Sequence, residues 1–165
     1  MEVEVMQSLV KCGGYAAVAF SAIGSSLGTG IAGSATIGAW KKCYAQNKPA
    51  PFLLMAYAGA PLSQTIYGFV LMNAMNKSML DNPEAYLQWP LFLLVGLMAG
   101  LAMGVSAWYQ GRAAAGGSDA LAETGKGFAY YLMVLGVIET VAIFALVFSM
   151  SLLPKAAVAA AAIAE

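Results

Sequence analysis

The sequence predicts an all-α integral membrane protein of four transmembrane helices, laid out as two tandem hairpins in a single membrane domain over residues 1–165. Composition, the spacing of charge and a likeness between the two halves lead to that class. Hydrophobic residues make up 61% of the chain and charged residues only 10%. Soluble domains run nearer a quarter charged, and a water-soluble fold of this length could not bury so much apolar surface. The formal net charge is +0, so there is no electrostatic case for nucleic acid as a partner. Histidine is absent, which removes the commonest metal ligand and the usual proton switch.

Charge marks the spans. No Lys, Arg, Asp or Glu lies in Gly13 to Trp40, in Pro49 to Asn76 or in Ala85 to Gly111. The stretch from Gly127 to Pro154 holds one, Glu139. At 1.5 Å per residue each stretch reaches about 40 Å as a helix. A bilayer core is about 30 Å thick. Helices are the default because lipid tolerates no open strand edge and the runs lack the alternation of a barrel.

Span one begins after Met-Glu-Val-Glu-Val-Met. A signal peptide would carry positive charge there and a small-residue cleavage site, so the first span is expected to be retained. Cys12 and Cys43 flank it at opposite ends. A helix holds them too far apart for a disulfide. Lys41 to Lys48 forms a basic connection to span two, which carries Pro61 in its middle. Lys77 to Glu84 is a polar turn leading to the interfacial aromatics Tyr86 and Trp89. Gly116 to Lys126 is a small, polar connection with Asp119 and Glu123. The alanine-rich tail Ala156 to Glu165 reads as a frayed helix end. An even number of spans puts both termini on one side. The loops after spans one and three hold Lys41, Lys42, Lys48, Arg112 and Lys126; the other side holds Lys11, Lys77 and Lys155. The positive-inside rule then places both loops in the cytoplasm and both termini outside.

Spans one and three carry small residues at intervals of about one turn: Ser21, Gly24, Ser25 and Gly28 in one, Gly96, Gly100 and Gly104 in the other. Such stripes let helices approach closely. They serve either packing within one chain or a tight ring, with spans one and three inside and the bulkier two and four outside. The halves resemble each other, with repeat one over 13–76 and repeat two over 85–153. Ser21 to Ser25 aligns with Ser106 to Gln110, and Ser63-Gln64-Thr65 with Ile138-Glu139-Thr140. Gln64 thus stands where the second half has its carboxylate. Duplicated hairpins are common among transport proteins.

Glu139 is the candidate site. An ionised acid at mid-membrane costs about 2.5–3.5 kcal/mol or more, and such a residue is a functional hypothesis by default. Span two offers Ser63, Gln64 and Tyr67 on neighbouring helix positions. Pro61 cannot donate a backbone hydrogen bond, so carbonyls near it can turn toward a ligand. A hairpin turning at Thr124-Gly125 brings Gln110 level with Glu139; one turning at Tyr44-Ala45 brings Ser25 level with Gln64. The cluster is rich in oxygen donors, which suit a hard cation, and its single negative charge suits a monovalent one. A proton needs only the carboxylate, so the extra oxygens favour sodium, with a proton as the alternative.

The stretches Pro61-Leu-Ser-Gln-Thr-Ile-Tyr-Gly-Phe-Val70, Gln110-Gly-Arg-Ala-Ala-Ala-Gly116 and Val137-Ile-Glu139-Thr resemble the proteolipid (c or K) subunit of V-type and A-type ATPases, above all the sodium-pumping bacterial kind. The resemblance covers about Gly13 to Leu153. It implies that the ion is held by Ser63, Gln64, the Ala60 backbone carbonyl, Gln110 and Glu139. It also implies that Tyr67 closes the site by bonding the glutamate. Serine stands at 63 where the family has threonine. As partners it implies further copies in a homo-oligomeric ring, a stator membrane subunit with an essential arginine, a central-stalk subunit on the cytoplasmic side, and the lipid bilayer. Its cofactor is Na+ (H+ as the alternative) and no nucleotide, because ATP is handled by other subunits and the chain is not itself an enzyme. No Gly-x4-Gly-Lys-Ser/Thr pattern occurs. Gly28-Thr-Gly30-Ile-Ala-Gly33 has dinucleotide spacing but lies inside an apolar span. A stand-alone small cation transporter or channel is the rival reading from another class.

Overall fold

The computed structural model describes residues 1–155. The alanine-rich tail, expected as a frayed helix end, lies outside the described residues. Among those described the fold is helical, with no strand. Helix α1 spans Val3–Ala45, α2 spans Leu54–Gly59, α3 spans Ser63–Asp81, α4 spans Trp89–Thr124 and α5 spans Phe128–Leu152. Three helical stretches are long and apolar enough to cross a membrane: Val3–Ala45, Ala85–Thr124 and Phe128–Leu152. The second expected span, 49–76, is a broken one. Helix α2 gives way to a 3-10 turn at Ala60–Leu62 around Pro61 before α3 resumes. Pro61 has no N–H to give the carbonyl one turn back, so the α-helical ladder is interrupted there. Neither piece alone is long and apolar enough to cross.

The first and third helices run well past the charge-free stretches that mark spans one and three. Helix α1 takes in Lys41 and Lys42, and α4 takes in Arg112, Asp119 and Glu123. Charges end the apolar window but do not end a helix; Ala-rich sequence such as Ala113-Ala-Ala propagates it. What stops α4 is glycine. Gly125 (φ 65°) and Gly127 (φ 90°) both adopt the left-handed region, and the Gly125 N–H bonds the Leu121 carbonyl at 2.8 Å. This compact αL stop turns the chain directly into α5.

Packing is governed by the small residues. Helices α1 and α4 lie side by side and parallel: Gly13 meets Phe92 and Gly96, Ala17 meets Gly100, Gly24 meets Gly104 and Gly28 meets Gly111. A Cβ at Gly24 would fall on the Gly104 backbone, so the two main chains touch where the stripes cross. Farther along, the hydroxyls of Thr36 and Ser118 lie 3.2 Å apart, both buried. Lys42 then bridges Asp119, at 3.5 Å, and Glu123. Hydrogen bonding to Glu123 raises the Lys42 ammonium above the ordinary lysine value, with the nearby carboxylate charges acting the same way. Cys12 and Cys43 are both unpaired, as expected.

Helix α3 runs antiparallel to α1, with Gly14 against Met72, Gly68 against Ala17 and Ser21, and Gly28 against Pro61. Helix α5 is antiparallel to α4 and the least covered of the long helices: only Leu135 and Ala142 are buried. Its remaining surface presents Val137, Val141, Phe144, Val147 and Phe148 outward. In water that surface would be a liability, whereas lipid solvates it.

Candidate ion-binding site

Glu139 sits near the middle of α5, half-buried on the side facing α3 and α4. Its two carboxylate oxygens are held from different helices. The Tyr67 hydroxyl on α3 donates to Oε1 at 2.6 Å. The Gln110 amide nitrogen on α4 donates to Oε2 at 3.4 Å and to the Leu135 carbonyl at 3.1 Å. Simple hairpin symmetry puts Gln110 opposite residue 139, yet its backbone partner is one turn earlier. The offset follows from helix geometry: side chains lean toward the helix N-terminus, so the carboxylate of Glu139 lies over the turn of Leu135.

Gln64 and Gln110 are both fully buried. The Gln64 amide nitrogen donates to Gln110 Oε1 at 2.9 Å. The Ser63 hydroxyl lies 3.2 Å from Gln64 Oε1 and 3.2 Å from the Ala60 carbonyl. That carbonyl belongs to the 3-10 turn at Pro61 and also accepts the Ser63 backbone N–H. The polar groups therefore form a chain: Ala60 carbonyl, Ser63, Gln64, Gln110, Glu139, Tyr67. Among the described residues no direct hydrogen bond joins Glu139 to Ser63, Gln64 or the Ala60 carbonyl. Gln64 is linked to the acid through Gln110, with Ser63 and the Ala60 carbonyl behind it.

Two supporting groups lie outside the sequence-derived set. Ser106 on α4 donates to the Ile138 carbonyl at 3.0 Å, pinning α5 beside the acid. The Leu135 carbonyl orients the Gln110 amide. Both were within reach of the sequence, since Ser106 precedes Gln110 and Leu135 precedes Glu139 by one helical turn. Arg112 projects from an exposed position of α4, its guanidinium carbon 5.6 Å from the centre of the Tyr109 ring. That stacking partly accommodates a cation otherwise awkward beside apolar surface.

A single carboxylate bonded by Tyr67 and Gln110, with Gln64 and Ser63 linked behind Gln110, carries little charge and many dipoles. It can take a proton, or one monovalent cation coordinated by oxygens. In the arrangement described, Gln110 turns its nitrogen to the acid and its oxygen to Gln64. Coordinating a cation by Gln110 requires that amide to turn over.

Residues 93–152 match the family of the ATP synthase C subunit. No curated protein matches the chain. The matched stretch takes in most of α4 and all of α5, so Gln110 and Glu139 fall inside it and Ser63, Gln64 and Tyr67 outside. Proteins of that family are ion-carrying rotor subunits rather than catalytic ones, and they form oligomeric rings that work against a stator. The match supports an ATPase proteolipid of the rotor ring, and with the apolar helices it indicates a multi-pass membrane protein.

Proposed function

We propose that the chain is the rotor-ring proteolipid of a V-type ATPase and carries one sodium ion per copy on Glu139. The observation that carries this reading is a polar chain, Ser63 to Gln64 to Gln110, that ends on one acid near the middle of an apolar helix, with Tyr67 on the acid's other oxygen. In this reading the α2–α3 stretch is a fourth, kinked span. The chain is one domain of two related hairpins, 13–76 and 85–153. Copies pack into a ring with α1 and α4 inside and α3 and α5 outside. The 46–53 and 125–127 connections face the cytoplasm and a central-stalk subunit, and both termini lie outside.

The mechanism follows from charge. An empty, ionised Glu139 is costly in lipid; a bound cation cancels its charge and lets the copy ride through the hydrocarbon. Ser63, Gln64, the Ala60 carbonyl and Gln110 supply oxygen dipoles in place of water. Tyr67 anchors one carboxylate oxygen and closes the lipid side. A stator arginine competes for the carboxylate and ejects the ion. Each charge moved through 100 mV is worth about 2.3 kcal/mol, so several copies turn per ATP. Nucleotide is handled by other subunits.

Carbodiimides react with protonated carboxyl groups, so bound sodium should shield Glu139. Labelling of Glu139 that falls as sodium rises supports the reading; labelling that responds to pH alone overturns the choice of sodium. One observation favours that proton alternative: the carboxylate's own hydrogen bonds run only to Tyr67 and Gln110. A stand-alone transporter predicts a monomer or dimer, and a detergent-resistant species of high mass excludes it.

A further inference from the structure

Ser25 lies on α1, 2% exposed, and its hydroxyl is the one buried side-chain oxygen or nitrogen without a hydrogen-bond partner among the described residues. Leaving a buried hydroxyl unpaired costs about 1–3 kcal/mol. Its neighbours on the same helix are not in this position. Ser21 donates to the Ala17 carbonyl at 2.7 Å, and Thr29 to the Ser25 carbonyl at 2.7 Å.

The antiparallel seam between α1 and α3 fixes where that hydroxyl sits. On one side of it, a Cβ at Gly28 would lie 2.8 Å from the Pro61 side chain; on the other, Ser21 abuts Gly68. Ser21, Ser25 and Gly28 occupy one buried face of α1, and Pro61, Gln64 and Gly68 one buried face of the helical segment opposite. Ser25 therefore falls at the level of Gln64. In the alignment of the two halves it occupies the place of Gln110, with Gln64 in the place of Glu139.

Gln64 has two amide hydrogens. One goes to Gln110 Oε1. When Gln110 turns its oxygen toward a cation, that acceptor is lost and the fully buried Gln64 nitrogen needs another. The geometry points to Ser25 as a positioning residue of the cation site: its hydroxyl oxygen accepts the Gln64 N–H in the ion-loaded state and so fixes the Gln64 amide oxygen toward the ion. Turning its own hydrogen to the Ser21 carbonyl, one turn back, completes the bonding of Ser25. The assignment rests on the cation reading of Glu139. It goes beyond that reading in bringing α1 into the site.

The test uses the full chain in detergent and follows carbodiimide labelling of Glu139, first against sodium chloride concentration and then against pH without sodium. Ser25→Ala should raise the sodium needed for half-protection about tenfold, as loss of an orienting partner does at metal sites. It should leave the pH profile unchanged, because a proton needs no amide oxygen. Ser25→Cys, similar in size but a poor acceptor, should follow Ser25→Ala; Ser21→Ala should follow the wild type. A wild-type sodium dependence in Ser25→Ala overturns the proposal, as does an equal shift of the sodium and pH profiles, or recovery in Ser25→Cys. If the wild type itself gains no protection from sodium, the cation reading fails and Ser25 falls with it.

Discussion

The two hairpins share a plan but differ at the site. In the second, α4 and α5 are continuous helices, and Gln110 on one reaches the carboxylate of Glu139 on the other. In the first, α1 is continuous but its partner breaks at Pro61, and the buried polar residues include Gln64 and a Ser25 hydroxyl without a bond, with no acid among them. Gln64 turns instead toward Gln110 and so joins the other half's cluster. The difference teaches how two antiparallel helix pairs can share one charge: the pair that lacks the acid supplies dipoles to the pair that has it. One buried charge per chain also halves the electrostatic cost of holding two such hairpins in lipid.

The sharpest break of this asymmetry is Glu139→Gln, which makes the two halves alike. Ion transport and carbodiimide labelling at this position should both disappear, while the helical content measured by circular dichroism stays as in the wild type. Next in size are Gln110→Ala and Gln64→Ala. Each removes an amide from a fully buried chain, and sodium affinity measured by protection should fall about 10–100-fold. Gln110→Ala should be the more severe, because Gln110 links the first hairpin's donors to the acid. Tyr67→Phe removes one hydrogen bond to a charged group; such a bond contributes about 1.5–3 kcal/mol. Sodium release, followed by isotope exchange, should quicken accordingly.

Gly24→Val probes the shared frame rather than the site. Its side chain would meet the Gly104 backbone, and overpacking of this kind costs about 1–3 kcal/mol. Thermal stability of the detergent-solubilised protein should drop, with residual sodium affinity little changed in the folded fraction. The smallest effect belongs to Lys42→Ala, where an exposed side chain links α1 to Asp119 and Glu123. The Lys42 ammonium is raised in the folded protein, so its contribution is present in full below the ordinary lysine value of 10.5 and fades as pH climbs through the folded value. Melting temperature should therefore decline slightly at strongly alkaline pH in the wild type, and not in Lys42→Ala.

Much of this was legible in the sequence because membranes impose coarse rules. Long charge-free runs mark apolar helices, and Glu139 stands out as a lone charge within one. Gln110 could be brought to it by counting back from the turn. Helix ends were not legible from charge, since α4 continues through Arg112, Asp119 and Glu123 until glycines with positive φ stop it. Nor was the way each amide faces. Whether Gln110 shows the acid its nitrogen or its oxygen depends on its other contacts, here the Leu135 carbonyl and Gln64. The small-residue stripes admit two uses, and the structure gives the one within a single chain: main-chain contact between parallel α1 and α4.

The most direct measurement is equilibrium binding of radioactive sodium to the purified full-length protein. The account predicts saturable binding of one ion per chain, weakened in Gln110→Ala and absent in Glu139→Gln. Saturable binding that persists undiminished in Glu139→Gln, or no sodium bound by a wild type whose Glu139 still labels with carbodiimide, would contradict it.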